Sequence, residues 1–298
     1  MERGMGVKNM NIGVIISSGL NAGGGYQYEY MVLDILKRHH KNKNISLNYY
    51  CSNKNILKDY SDLNINIKLI KENIFQKFHR LCLTNIFIYK FLNKIGLGKS
   101  LIEKKLTKDN IDLVYFLSPN LKSLGLGDIP YIFTLWDLGH IDILEFPEVS
   151  HERRFELREF NYTKSLKKAI SVIVDLDYGK QNVMKRYNLD EHRVEVLKFL
   201  PNIRKIESSS SIDVKEKYNL KNEYIFYPAQ FWAHKNHIYI LKAIKILREQ
   251  SGIDLDVVFS GTDKGNLNYI LEKSRQFGID DLIHYIGFAP NEEIPMLY

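Results

Sequence analysis

The chain has 298 residues, 45% hydrophobic, 12% aromatic and 26% charged, with a formal net charge of +7, which is globular composition with length enough for two domains. No apolar run approaches the roughly 18 residues of a spanning helix, and the start, MERGMGVKNMNIGVI, has no apolar signal core, so a cytosolic protein is expected. Cys51 and Cys82 lie far apart in dissimilar contexts; they suit neither a metal pair nor a disulfide framework and are expected to be reduced and inert.

Residues 11–17 (NIGVIIS) form an apolar, β-branched run without polar alternation, the pattern of a strand buried on both faces of a parallel sheet. It leads into a glycine-rich loop at 18–25 and a helical pattern over 26–40, so the unit reads strand, glycine loop, helix. Further strands are expected at 46–51, 65–70, 113–117, 131–135, 171–174 and 194–198, with helical stretches between most of them. This alternation predicts a doubly wound α/β sheet. At 201–212 a proline and a serine run break the pattern as an interdomain linker would. A second alternation follows: strand 224–227, helix 236–250, strand 255–260, helix 265–277, strand 282–286 and a helix from 292. The expected domains are therefore 1–205 and 206–298, with a cleft between them. The second is expected to be incomplete, because three strands would leave an unprotected edge.

The positive charge is local. Residues 66–108 hold ten basic side chains against Glu72 and Glu103, so this segment nets +8 and the rest of the chain −1. Ile74, Phe75, Phe78, Leu81, Leu83, Ile86, Phe87, Phe91 and Leu92 interleave with the cations at roughly helical spacing. Two readings follow: helices that pack their apolar stripe on a core, or a surface for an anionic partner such as a membrane. Nucleic acid is disfavoured, since the excess is confined to one segment and no RNA or DNA motif accompanies it.

Five loops carry candidate chemistry. Gly23, Gly24 and Gly25 stand between the first strand and first helix, where backbone amides approach a charged ligand; the spacing is neither G-x-G-x-x-G nor a Walker loop, and a tight turn explains it equally. Trp136, Asp137 and His140 follow the strand at 131–135, at a carboxyl end where ligands of open α/β sheets collect; they could orient sugar hydroxyls or serve the core. The nearby Phe146-Pro147-Glu148 reads most simply as a turn fixed by its proline. YPAQFWAHKN at 227–236 puts Lys235 at a helix start, where a cation opposes the helix dipole unless an anion such as phosphate joins it; the alternative is a lysine stem lying on Trp232. FSGTDKG at 259–265 and IGFAP at 286–290 repeat the strand-to-glycine transition, so three loops along one edge suggest a nucleotide cleft.

In combination, GGG at 23–25, TLWDLGHIDILEFPE at 134–148, YPAQFWAHKN at 227–236, FSGTDKGN at 259–266 and IGFAPNEEIPMLY at 286–298 resemble the family 4 retaining glycosyltransferases, of two-Rossmann GT-B architecture. The resemblance spans nearly the whole chain and is most specific at 134–148 and 227–236. It implies transfer of a sugar from a nucleotide-sugar to a glycan or lipid-linked acceptor, with no metal cofactor. Lys235 would contact the donor diphosphate, and Gly24 and Gly25 the donor phosphate or acceptor. Gly261 and Thr262 would line the donor site, the backbone at Gly287 and Phe288 would meet the nucleobase, and His140 and Asp137 would face the transferred sugar. Gln230 stands where many relatives have an arginine for the phosphates, and Trp136 where many have histidine. The family's later Glu-x7-Glu stretch has no match, so the resemblance implies a chain truncated at its C-terminus. Two other classes remain open: a sugar-nucleotide isomerase of the same architecture, and a non-catalytic binding protein. The basic segment is expected near the cleft mouth, holding the enzyme peripherally on an anionic membrane that carries a lipid-linked acceptor.

Overall fold

The computed structural model describes residues 9–40, 44–199, 213–290 and 293–298. Two sheets form, both wholly parallel, one of seven strands and one of three. The α/β class expected from the alternating pattern is the one observed. The chain divides into two compact units, one of Met1–Gly139 with Phe155–Asn202 and another of His140–Arg154 with Ile203–Tyr298. The linker read at 201–212 lies outside the described residues.

In the first unit the strands are β1 (Met10–Ile16), β2 (Ile45–Cys51), β3 (Ile67–Leu69), β4 (Leu113–Phe116), β5 (Tyr131–Thr134), β6 (Ser171–Val174) and β7 (Val194–Val196). Their order is β3-β2-β1-β4-β5-β6-β7, so the direction of winding reverses at β1 and β4. That reversal is where open α/β sheets leave a crevice at their carboxyl ends. Val14, Ile15 and Ile16 of β1 are buried between β2 and β4, which is why the run lacks polar alternation. Helix α1 (Gly24–His39) follows β1 and buries Tyr26, Tyr28, Tyr30 and Leu33 against the sheet. Its last turn carries Lys37, Arg38 and His39, the charge sign its carbonyl end favours. Between β3 and β4 come α2 (Ile74–Cys82), α3 (Ile86–Lys94) and α4 (Leu101–Lys108). After β5 the chain forms the short helices α5 (Gly139–Asp142) and α6 (Pro147–Ser150), then α7 (Arg154–Lys168); α8 (Asp177–Tyr187) separates β6 from β7.

In the second unit, α9 (Val214–Lys217) precedes β8 (Tyr224–Pro228), α10 (His237–Ile246), β9 (Asp256–Ser260), α11 (Leu267–Gln276), β10 (Ile283–Tyr285) and α12 (Ile294–Leu297). The sheet order is β10-β9-β8, and all five residues of the central β9 are buried. Helix α10 gives way at Leu247–Ser251 to a π-helical turn closed by Gly252, so the α-helix is shorter than the 236–250 pattern predicts. Phe231, Leu241, Val257, Phe259 and Ile270 form the core on one side of this sheet, and Val214, Val258 and Leu297 part of the other.

Candidate functional site

The carboxyl ends of β8, β9 and β10 are stitched together by backbone hydrogen bonds. Phe231 N donates to the Thr262 carbonyl at 3.1 Å, and Gly261 N donates to the Gly287 carbonyl at 2.8 Å. Ser260 Oγ donates to that same Gly287 carbonyl at 3.0 Å and accepts from Ala289 N at 3.0 Å, while Tyr285 OH donates to the Gly261 carbonyl at 3.0 Å. Gly261 holds φ 147°, and a Cβ there would stand 2.5 Å from the Ala229 carbonyl oxygen, so the β8 and β9 loops meet backbone to backbone. This arrangement joins the sequence-predicted residues Gln230, Gly261, Thr262, Gly287 and Phe288. Beneath them the buried Phe231 ring stacks on His237 at 4.3 Å and meets Phe259 and Tyr285 edge-on.

Lys235 differs from its sequence reading. It closes a single turn of 3-10 helix, Ala233–Lys235; Asn236 then takes a left-handed conformation (φ 54°, ψ 39°), and α10 begins only at His237. Lys235 therefore sits before the helix rather than in its first turn. Its carbonyl accepts from Tyr227 OH at 2.8 Å, and its side chain is exposed without an ion-pair partner among the described residues. The cation that lies over Trp232 is Lys264, 5.6 Å from the ring centroid. Trp232 Nε1 in turn donates to Gln230 Oε1 at 3.0 Å. Two lysines from different loops thus border one set of strand ends.

Glu148, which reads in the sequence as part of a plain turn, has a larger role. Its side chain is 7% exposed and accepts from His234 N at 2.9 Å and from His234 Nδ1 at 2.5 Å. Burial pushes the carboxyl up, but the His234 amide and imidazole outweigh it and hold it below the usual carboxylate range. Glu148 is therefore ionised and pins the turn that carries Lys235. The partners are 86 residues apart, and the only hint in the sequence is that both fall in its most specific stretches.

His237, the first residue of α10, is fully buried; its Nε2–H donates to the Ala229 carbonyl at 3.3 Å and Nδ1 has no partner among the described residues. Burial, reinforced by the Lys235 charge, pushes its pKa down to about 4 despite the Ala229 bond. Between about 6.5 and about 4 the unfolded chain binds a proton here that the native state does not, so stability falls as pH drops through that window. Urea midpoints measured across it should decline for the wild type and flatten for His237→Phe; equal slopes would contradict a neutral His237.

In the first unit, a Cβ on Gly25 would stand 2.6 Å from the Trp136 ring, whereas one on Gly24 would meet open space. Gly25 therefore serves close packing, and Gly24 offers an open helix start. Asp137 Oδ1 accepts from Arg158 Nη2 at 2.5 Å and from Gly139 N at 2.8 Å, so its charge is already matched by a guanidinium that no motif in the sequence marks. His140 is fully buried. Beneath the loop, Glu29 is also fully buried and accepts from Ser17 N at 3.0 Å, Ser18 N at 2.8 Å and Tyr60 OH at 3.1 Å.

Among the described residues no group of three or more His, Cys, Asp or Glu is placed to hold a metal. Asp-x-Asp spacings exist at 175–177 and 254–256; in the second, Asp254 accepts from Arg248 Nε at 2.7 Å and Asp256 from the amides of Lys221 and Asn222 at 3.0 and 3.1 Å.

Residues 208–298 match the family model described as glycosyl transferases group 1. No curated protein matches the chain by sequence. Among solved structures, a glycosyltransferase from Rickettsia africae is 16% identical with a TM-score of 0.64, over 97% of this chain and 70% of that one. Anabaena Alr3699/HepE, solved in complex with UDP and glucose, is 13% identical with a TM-score of 0.65, over 97% and 72%. A UDP-N-acetylglucosamine 2-epimerase from Rickettsia bellii is 13% identical with a TM-score of 0.53, over 96% and 70%. The chain thus has the two-Rossmann fold that these proteins share, its second sheet being small, and the family match at 208–298 supports the glycosyltransferase class.

Proposed function

We propose that this protein moves a sugar from a nucleotide-sugar donor to a glycan or lipid-linked acceptor, with retention and without a metal, while attached peripherally to an anionic membrane. The observation that carries the transfer is the joined set of loops after β8, β9 and β10, bordered by Lys235 and Lys264. Breaking a glycosyl–phosphate bond leaves a diphosphate that gains negative charge as the sugar becomes cationic. Cations and backbone amides fixed at the leaving group therefore favour the transition state over the ground state. Lys235 supplies such a cation, and Glu148 holds its turn through His234. Gly261 and Thr262 lie against the donor, and Gly287 and Phe288 border the base. On this reading Asp137, oriented by Arg158, meets the transferred sugar, whereas His140, fully buried, reaches it only if its loop moves.

The test is turnover of the intact protein with UDP-, GDP-, ADP- and dTDP-sugars and a lipid-linked glycan acceptor. Lys235→Ala should lower turnover by roughly 10²–10³-fold, the range for removing one charge-stabilising group. Because Lys235 is exposed, the urea midpoint should stay unchanged. Equal turnover in the variant would refute the assignment of Lys235. Interconversion of the nucleotide-sugar without acceptor would favour the isomerase reading, whose fold the Rickettsia bellii epimerase shares.

A further inference from the structure

The apolar stripe at 74–92 faces outward. Helix α2 starts on a capping box, Asn73 with Gln76, and its one buried residue is Arg80. Arg80 Nε donates to the Glu72 carboxylate at 3.1 and 3.2 Å, and its Nη1 donates to the Leu121 carbonyl at 2.6 Å. His79 Nε2 donates to the Leu97 carbonyl at 2.8 Å, tying α2 to the loop after α3. Polar groups therefore anchor the inner side, and the apolar side is left to solvent: Ile74 is 72% exposed, Phe75 79% and Phe78 67%. Helix α3 buries no residue at all; Phe87 is 79% and Phe91 64% exposed. Soluble surfaces rarely leave so many large apolar side chains together unless something covers them.

Charge identifies what covers them. From 73 to 102 the sequence contains no Asp or Glu. Lys77, Lys90 and Lys94 are exposed among the apolar residues. The two flanking acids are spent inside: Glu72 on Arg80, and Glu103 on the Gly127 and Asp128 amides at 2.7 and 2.6 Å. A second copy of this surface would set lysine against lysine with no carboxylate between them. A surface that is apolar beneath and anionic at its rim satisfies both features. We propose that α2 and α3 form a membrane-docking surface, with Phe75, Phe78, Phe87 and Phe91 entering the acyl boundary of a bilayer and the lysines meeting anionic headgroups. No helix among the described residues is long and apolar enough to cross a membrane, so attachment through this surface is interfacial. The proposal rests on the peripheral attachment put forward above and not on sugar transfer, so binding is read without donor or acceptor.

The test is co-sedimentation of the whole protein with vesicles of phosphatidylcholine alone or mixed with phosphatidylglycerol. The wild type should bind the mixed vesicles at low salt, retain part of that binding at high salt, and bind phosphatidylcholine weakly. Phe75→Ser, Phe78→Ser, Phe87→Ser and Phe91→Ser combined should lose the salt-resistant binding by about tenfold or more. Lys77→Glu, Lys90→Glu and Lys94→Glu combined should lose the preference for phosphatidylglycerol. Circular dichroism and the urea midpoint check that both variants remain folded, as the exposure of these residues leads one to expect. Absence of wild-type binding at low salt, unchanged binding in the folded serine variant, or a dimer that the serine variant dissolves while vesicles stay unbound would each overturn the proposal.

Discussion

Gly261→Ala should destabilise the second unit by about 2–4 kcal/mol and abolish nucleotide binding, through backbone conflict and with no change of charge. The residue holds φ 147°, a conformation that L side chains rarely adopt, and its added Cβ would stand 2.5 Å from Ala229 O and 2.8 Å from Gln230 N. Those atoms are backbone and cannot rotate away. To relieve the contact the β8 and β9 loops must separate, which strains both the Gly261 N to Gly287 O bond and the Phe231 N to Thr262 O bond. Gly265→Ala is the control: φ is 100° there, yet nothing lies within 4 Å of the added Cβ, so only conformational strain of about 1 kcal/mol is expected. Urea denaturation and calorimetric titration with nucleoside diphosphates measure both effects. Equal losses in the two variants would mean that positive φ alone, and not the closeness of the loops, is what matters.

Glu29→Ala should cost about 2–4 kcal/mol, a large share of the roughly 5–15 kcal/mol by which a typical domain is stable. Glu29 has no solvent exposure, and its carboxylate receives the Ser17 and Ser18 amides and the Tyr60 hydroxyl. Burial raises its pKa, with those donors opposing the shift. Truncation leaves the buried Ser18 amide and the part-exposed Ser17 amide without their acceptor, while Tyr60 OH keeps its bond to the Ser18 carbonyl at 2.7 Å, and it empties part of the core under the glycine loop. Glu29→Gln keeps one oxygen and turns an amide NH2 toward a donor, so an intermediate loss is expected. A shift in the urea midpoint reports the stability, and faster hydrogen exchange at 17–25 reports loosening of the loop. A Glu29→Ala protein as stable as the wild type would show that water replaces the carboxylate.

Strands are legible in the sequence where burial is two-sided: β1 and β9 carry the unbroken apolar runs Val14–Ile16 and Val257–Phe259 because both faces are covered there. Loops are legible as well, since glycine marks the close approach of the Trp136 ring at Gly25 and of backbone at Gly261. Polar partners are harder to read. Glu29 in a helical pattern looks like a solvated side chain, and only the fold brings Ser17, Ser18 and Tyr60 to it. Glu148 and His234, or Asp137 and Arg158, meet through tertiary structure that no local spacing encodes. Asn236 tolerates the left-handed conformation, as Asn64, Asn110, Asn188 and Asn219 do, but an asparagine at the edge of a helical pattern does not by itself mark a break, so the pattern alone puts Lys235 at the helix start. The stripe at 74–92 has the same period whether it faces in or out; Glu72 and the Leu121 carbonyl decide the matter by taking Arg80 inside.

The most direct test of a donor site at the ends of β8, β9 and β10 is hydrogen exchange of the intact protein with and without saturating UDP, GDP, ADP or dTDP. At least one of these should slow exchange at 229–236, 261–266 and 287–289 together, and Lys235→Ala should weaken that protection. Protection confined to other segments, or none with any of the four, would contradict a donor site there.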